Sequence, residues 1–190
     1  WDIPYYIFPV LALICNIIVV SGNSINFIRT GNLKLKTVIP YLVGSIPFAF
    51  MGGSMNLDKE AFEVILFLVL SFAGILLLIN SNSYKENTLR IQIIPKYISI
   101  LIGSVLGLIS GVVGIGGGIF LSPILFLLKA GYPRQIAATA SLFILTNSIS
   151  GVFGQFTKQN IMNDIFNYWP LFILVLLGGQ IGNFLNLKFL

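Results

Sequence analysis

The chain has no histidine, one cysteine and little charge, charged residues making up 9% of its 190 positions. Without histidine it lacks the commonest general base and metal ligand near neutral pH. Cys15 cannot close an intrachain disulfide, and its place inside an apolar run reads as a small core residue. Of the six acids, Glu63 alone sits inside an apolar segment, near its start and one helical turn from Lys59. That position suits a side chain snorkelling to the interface better than a proton carrier. No carboxylate pair, cysteine pair or serine with a nearby base forms a catalytic constellation, so neither an enzyme nor a cofactor is expected. The N-terminus, Trp1-Asp2-Ile3-Pro4, has no initiator Met and no basic stretch of a signal peptide, and reads as a cut or processed end.

Apolar residues are abundant: 56% of the chain is hydrophobic and the mean hydropathy is +0.95. Soluble domains carry about 25% charged residues, and several apolar runs here reach the ~20 residues needed to span a bilayer. An all-α polytopic membrane protein is expected, with the lipid bilayer as its solvent. Apolar segments fall at about 5–28, 37–57, 61–80, 134–157 and 167–190, with a glycine-broken one at about 97–130. The net charge of +5 sits in short loops between these runs, so it reads as a topology signal and not as a nucleic-acid surface.

The sequence repeats itself. Sliding 5–57 by 129 residues pairs Pro4 with Pro133, Ser21-Gly22 with Ser150-Gly151, Asn26-Phe27 with Gln155-Phe156, and Arg29 with Lys158. One inserted residue later, Pro40 pairs with Pro170 and Gly52 with Gly182. A first repeat over 1–96 and a second over 97–190 follow. The first copy has no counterpart of the glycine-broken segment, and the second none of 61–80. The chain is therefore expected to be a window on a longer two-repeat protein.

Basic residues bear on the direction of the repeats. If 97–130 crosses the membrane once, Arg29, Lys34, Lys36, Lys85, Arg90, Lys96 and Lys158 share a face against Lys59, Lys129, Arg134 and Lys188, seven against four. If it enters and returns as two half-helices, Lys129, Arg134 and Lys188 join the first face and Lys158 leaves it, nine against two. The positive-inside rule favours the second count, and with it inverted repeats around a re-entrant or discontinuous helix.

Seven glycines fall within sixteen residues of that broken segment. Gly103, Gly107 and Gly111, spaced by four, share a helix face and suit close helix packing. Gly114, Gly116, Gly117 and Gly118 are different, because consecutive glycines do not sustain a helix. They predict an unwound turn that presents bare N–H groups at the start of a half-helix, a ready anion site. Pro123 removes one more backbone bond and extends the predicted irregularity over Phe120 to Ser122. Thr139, Ser141, Thr146 and Asn147 on the following segment, and Ser21 and Asn26 on the first, add neutral polar groups at membrane depth. For each of these, a hydrogen bond that merely joins helices is nearly as good an explanation as a ligand contact. Gly-x-Gly-Gly-Gly here follows a membrane segment and not a strand, so a dinucleotide fold is excluded. Trp1, Tyr5, Tyr6, Tyr97, Tyr168 and Trp169 mark segment ends, as interfacial anchors do, and Asp164 and Lys158 read as solvated loop.

The run Gly111-Val112-Val113-Gly114-Ile115-Gly116-Gly117-Gly118, followed by Pro123, Ala138, Thr139 and Ser141, closely resembles the TauE/SafE family of membrane transporters. The tail of the first repeat fits the same pattern at Ser21-Gly22, Phe27, Arg29, Gly31, Pro40, Gly44 and Gly52. Asn147 departs from it, standing where another small residue is more usual in the family. The resemblance implies a secondary transporter for small sulfur-containing anions, sulfite or organosulfonates, in a bacterial inner membrane. Two other readings stay open: a passive anion channel, and a membrane subunit that delivers a sulfur species to a partner enzyme. Substrate, direction, coupling ion and oligomeric state, a homo-oligomer included, are left undetermined by the sequence.

Overall fold

In a computed structural model of the chain the described residues are 4–31, 33–80, 92, 94–158 and 165–189, with no strand among them. The helices are α1 (Phe8–Arg29), α2 (Leu35–Ser54), α3 (Lys59–Asn80), α4 (Lys96–Val113), α5 (Gly118–Leu127) and α6 (Pro133–Gln155). A 3-10 turn at Phe166–Tyr168 then leads into α7 (Trp169–Phe189). Trp1, Lys85, Arg90 and Asp164 lie outside the described residues, as does the side chain of Lys188.

Helices α1, α2, α4 and α6 are each long and apolar enough to cross a membrane. Proline stands in the first turn of α1 and of α6, where its missing N–H costs no intrahelical bond. Many large apolar side chains point outward, Phe67, Leu174 and Leu177 among them, as lipid-facing side chains do. Lys59 and Glu63 pair one turn apart at 3.8 Å, both exposed, at the start of α3.

The tightest seam joins α2 to α4. A Cβ on Gly103, Gly107 or Gly111 would overlap the carbonyl of Tyr41, Ser45 or Ala49, and one on Gly44 or Gly52 would overlap that of Ile100 or Leu108. The two backbones interlock because neither has side chains in the way, which is how helices bind one another where lipid removes the hydrophobic drive. Ser104 adds a hydrogen bond from its hydroxyl to the Gly44 carbonyl at 3.3 Å.

Elsewhere α1 packs on α6, α2 also packs on α6, and α7 packs on α1. The N-terminal ends of α2, α4 and α6 gather at one end of the bundle, around Lys34, Lys36, Lys96, Gly131 and Gln135. At the other end Tyr5, Tyr6, Met55, Asp58 and Lys158 line a second cavity.

The glycine-broken segment is two helices, not one rod. After Gly114 the chain turns back, so that a Cβ on Gly117 would lie 3.2 Å from the Leu106 carbonyl and 3.3 Å from Ser110 Cβ. Phe120 and Ile124 of α5 share a groove with Leu101, Val105 and Ile109 of α4. Past the end of α5, the carbonyl of Lys129 accepts a hydrogen bond from the Gln92 N–H, just before α4, at 3.0 Å. The irregularity expected at Phe120 to Ser122 is absent. Pro123 lies inside an otherwise regular α5 with its ring buried, where its fixed φ is already helical and only one backbone bond is forgone.

Candidate functional site

The break is built from backbone conformation first. Gly114 (φ +84°) ends α4 in the left-handed region, its N–H bonded to the Ser110 carbonyl at 2.8 Å. Gly116 (φ +78°) and Gly117 (φ +69°) hold the same hand, which side-chain-bearing residues rarely adopt. Within the turn, the N–H of Gly118 reaches the Gly116 carbonyl, and those of Phe120 and Leu121 both reach that of Gly117. The N–H groups of Ile115, Gly116, Gly117 and Ile119 find no hydrogen-bond partner among the described residues. Helix α5 has no side-chain N-cap and no acid in its first turn. Its positive dipole end is therefore uncompensated.

Three helices close around this turn. From α1, Asn16 donates through Nδ2 to the Gly114 carbonyl at 3.2 Å. From α4 comes Ser110, next to Gly117, and from α6 come Phe143, Ile144 and Ser148. A Cβ on Gly116 would stand 3.0 Å from Asn16 Nδ2 and 3.2 Å from Ser148 Oγ. Asn147 lies on the α6 face that carries Phe143 one turn before it and Gly151 one turn after. Phe143 meets Gly117 and Gly151 meets Gly111, so that face looks onto the break.

The polar atoms there are orphaned. Asn147, Ser148 and Ser110 are fully buried, and neither amide atom of Asn147 nor either hydroxyl has a hydrogen-bond partner. Each such group costs about 1–3 kcal/mol when left unpaired. One turn beyond Gly151, Gln155 spends its Nε2 on the Gly111 carbonyl at 3.1 Å and leaves Oε1 unpaired. The result is a buried cluster of neutral polar groups packed around the turn, with the unpaired amide carbonyls of Asn147 and Gln155 among them and no ionised side chain among the nearest neighbours of the glycines. Chemically it can hold a small anion by hydrogen bonds alone.

The family profile described as Sulfite exporter TauE/SafE matches residues 3–189, nearly the whole chain. The chain belongs to the TauE/SafE family. A curated relative, "Probable membrane transporter protein y4hK" of Sinorhizobium fredii (strain NBRC 101917 / NGR234), is 28% identical over 183 residues, 94% of this chain and 72% of that protein. No solved structure matches it. Family and helices together make it an integral membrane protein of a transporter family.

The other candidates in this TauE/SafE chain are spread out. Thr139 bonds back to the Gln135 carbonyl at 2.8 Å and lines the cavity at the basic end. Thr146 bonds back to Leu142 and faces an open apolar depression with Ile46, Phe50 and Phe153, on a different side of α6 from Asn147. Ser141 is half-buried on α6. Ser21 bonds to the Ile18 carbonyl of its own helix, and Asn26 is half-buried near the end of α1. The structure thus groups Gly114, Gly116, Gly117, Gly118 and Asn147, and keeps Thr139, Thr146, Ser21 and Asn26 apart from them. Ser148, next to Asn147 in the polar cluster that begins at Thr146, and Asn16, one of the polar residues of the first segment, join the group, as does Ser110, which the sequence pattern does not single out. Ser110 carried a signal: it stands four residues before the first left-handed glycine, where its carbonyl must cap the helix.

Proposed function

We propose that the chain carries a small sulfur oxyanion, sulfite or a compact organosulfonate, across the bacterial inner membrane, and that the anion rests on the Gly114–Gly118 turn. The carrying observation is the convergence of unpaired N–H groups at Ile115, Gly116, Gly117 and Ile119 with the orphaned polar atoms of Ser110, Asn147 and Ser148. Neutral donors suit a carrier, because an ion pair with a buried cation would resist release. The Asn147 carbonyl oxygen asks for a hydrogen, which the hydrogen sulfite ion brings and a fully ionised sulfonate does not.

In the bilayer, α4 and α5 form a re-entrant hairpin that opens the second of two inverted repeats, 1–96 and 97–190. The bond from Gln92 to Lys129 supports the hairpin, since it puts both ends of the pair at one end of the bundle. Equivalent helices α1 and α6 run in opposite directions, and each takes the other repeat's second helix as a neighbour, α7 on α1 and α2 on α6. Lys34, Lys36 and Lys96 share an end with Lys129 and Arg134, while Lys59 and Lys158 lie at the other, which fits the nine-against-two distribution.

Flux into proteoliposomes tests the reading. Sulfite, thiosulfate, sulfoacetate and taurine are offered to the full chain and to Asn147→Leu. Saturable uptake of one sulfur anion, lost in the variant, is the expected result. Equal flux in both proteins would remove the site from the path.

A further inference from the structure

At the end of the bundle opposite the Tyr5–Lys158 cavity lies a separate cavity of about 340 Å³, walled by Lys34, Lys36, Lys96, Gln92 and Gln135. Three helices begin there: α2 after Lys34, α4 after Pro95 and α6 after Tyr132. None of the three has a side-chain N-cap or an acid in its first turn. Each start leaves backbone N–H groups without intrahelical partners and a positive dipole end. Among the described residues no acid lines the cavity to compensate them or the three lysines. One further group points to a ligand. Tyr41 lines the same cavity at 1% exposure, beside Ser99, and its hydroxyl makes no hydrogen bond. The Ser99 hydroxyl, itself turned to the Pro95 carbonyl at 3.5 Å, is the neutral neighbour this buried phenol has, and beneath three lysines and three bare helix starts an acceptor carrying negative charge is the stronger partner.

We propose that this cavity is an oxyanion-binding vestibule, in which a sulfate-like or phosphate-like group sits on the starts of α2, α4 and α6 and accepts a hydrogen bond from Tyr41. Lys34, Lys36 and Lys96 draw the anion in through their charge, a term that salt screens over about 8–10 Å. Tyr41, in a site shielded from water, sets affinity. The group can belong to a free solute or to the phosphate of an anionic lipid, since the same donors serve both. As a first station on the way to the glycine turn the vestibule rests on the transport reading; as a binding site it does not.

The test is therefore binding, not flux. Sodium sulfate is titrated into the purified full chain at constant ionic strength, with sodium chloride as reference, by calorimetry and by melting temperature. Saturable binding that depends on Tyr41 and on the three lysines is expected. Tyr41→Phe should weaken it about tenfold, the effect of one charge-assisted hydrogen bond. The triple variant Lys34→Gln, Lys36→Gln, Lys96→Gln, which changes only exposed side chains, should abolish it. Lys59→Gln, which removes an exposed cation at the opposite end of the bundle, should leave it unchanged, which separates the vestibule from a general attraction to positive charge. A second titration uses protein preloaded with phosphatidylglycerol or with phosphatidylcholine. Loss of sulfate binding only with phosphatidylglycerol assigns the site to lipid phosphate, and retention with both assigns it to a free oxyanion. No sulfate binding with either lipid or with none, or equal binding by the parent, Tyr41→Phe and the triple variant, overturns the proposal.

Discussion

Asn16 and Gly114, 98 residues apart in the chain, are joined by a hydrogen bond of 3.2 Å from the Asn16 side-chain amide to the Gly114 carbonyl. The carbonyl belongs to a left-handed residue at the end of α4, so α1 holds in place the corner where the chain reverses. Asn16→Ala removes the donor and leaves that carbonyl unsatisfied, at about 1–3 kcal/mol. A lower melting temperature together with reduced flux is the expected pair of results. Asn16→Asp should be worse, because a carboxylate offers no donor and would face a carbonyl oxygen. If Asn16→Ala melts like the parent, the bond does not hold the corner.

Asn147 separates a ligand site from a structural one. An amide that held helices together would be missed when removed, yet this one is fully buried with both atoms unpaired. Asn147→Leu exchanges an unsatisfied polar group for an apolar one of similar size, a change that is neutral or stabilising by up to about 1–3 kcal/mol. We expect an unchanged or higher melting temperature and no anion flux. A destabilised variant that still transports would show that the amide serves the fold.

Gly117 combines φ +69° with a neighbour, Phe143, whose ring would stand 3.0 Å from an added Cβ. Gly117→Ala should cost about 1–2 kcal/mol for the left-handed conformation alone, and Gly117→Val more. Flux should fall in both while the proteins remain folded in detergent. Adding Phe143→Leu gives the new methyl room but leaves φ unchanged, so it should restore only part of the melting temperature. Complete restoration would mean that crowding, not backbone strain, was the whole penalty.

Much of this was legible beforehand because glycine is informative where the bilayer forbids loose backbone. Consecutive glycines in an apolar run predicted the break, and glycines spaced by four predicted that α4 packs closely on a neighbour, without saying that the neighbour is α2. Pro123 misled, because removing one donor from a short buried helix does not unwind it. Side-chain direction was the harder problem. Thr146 and Asn147 are neighbours in sequence, yet consecutive helix positions point about 100° apart, and α6 spreads its small and polar residues too evenly around its axis for their pattern to tell the inward face from the outward one. Ser110 and Ser148 look like any other small hydroxyl residues until tertiary packing buries them without partners. The vestibule was hidden for a related reason: Lys34 and Lys36 at the start of α2 are far in sequence from Lys96 at the start of α4, and Tyr41 resembles an interfacial anchor.

Lys158 follows the C-terminal end of α6, half-buried in the cavity that also holds Asp58, Tyr5 and Tyr6. Burial pushes its ammonium below the ordinary lysine range. A folded pKa below the unfolded one means that the unfolded chain binds the proton more tightly. Stability is therefore lowest below the folded pKa and rises with pH from there up to the unfolded value. Lys158→Gln should remove that rise. Matched melting curves of parent and variant across the alkaline range measure it, and parallel curves would show that Lys158 does not contribute.

The α2–α4 seam and the outer face of α7 make opposite demands on glycine. At Gly107 an added Cβ would come within 2.7 Å of Ser45 Cα and overlap the Ser45 carbonyl, both backbone atoms that cannot step aside. At Gly178 an added Cβ meets nothing within 4 Å. Gly107→Leu must therefore push α2 and α4 apart along their whole contact, beyond the 1–3 kcal/mol that overpacking typically costs. It should yield little folded protein on size-exclusion chromatography in detergent. Gly178→Leu, the same exchange in an equally apolar helix, should fold and transport at least as well as the parent, because leucine is the better helix former by about 0.8–1 kcal/mol. Should the two variants behave alike, the seam is not held by close backbone contact, and the turn that it positions loses its support.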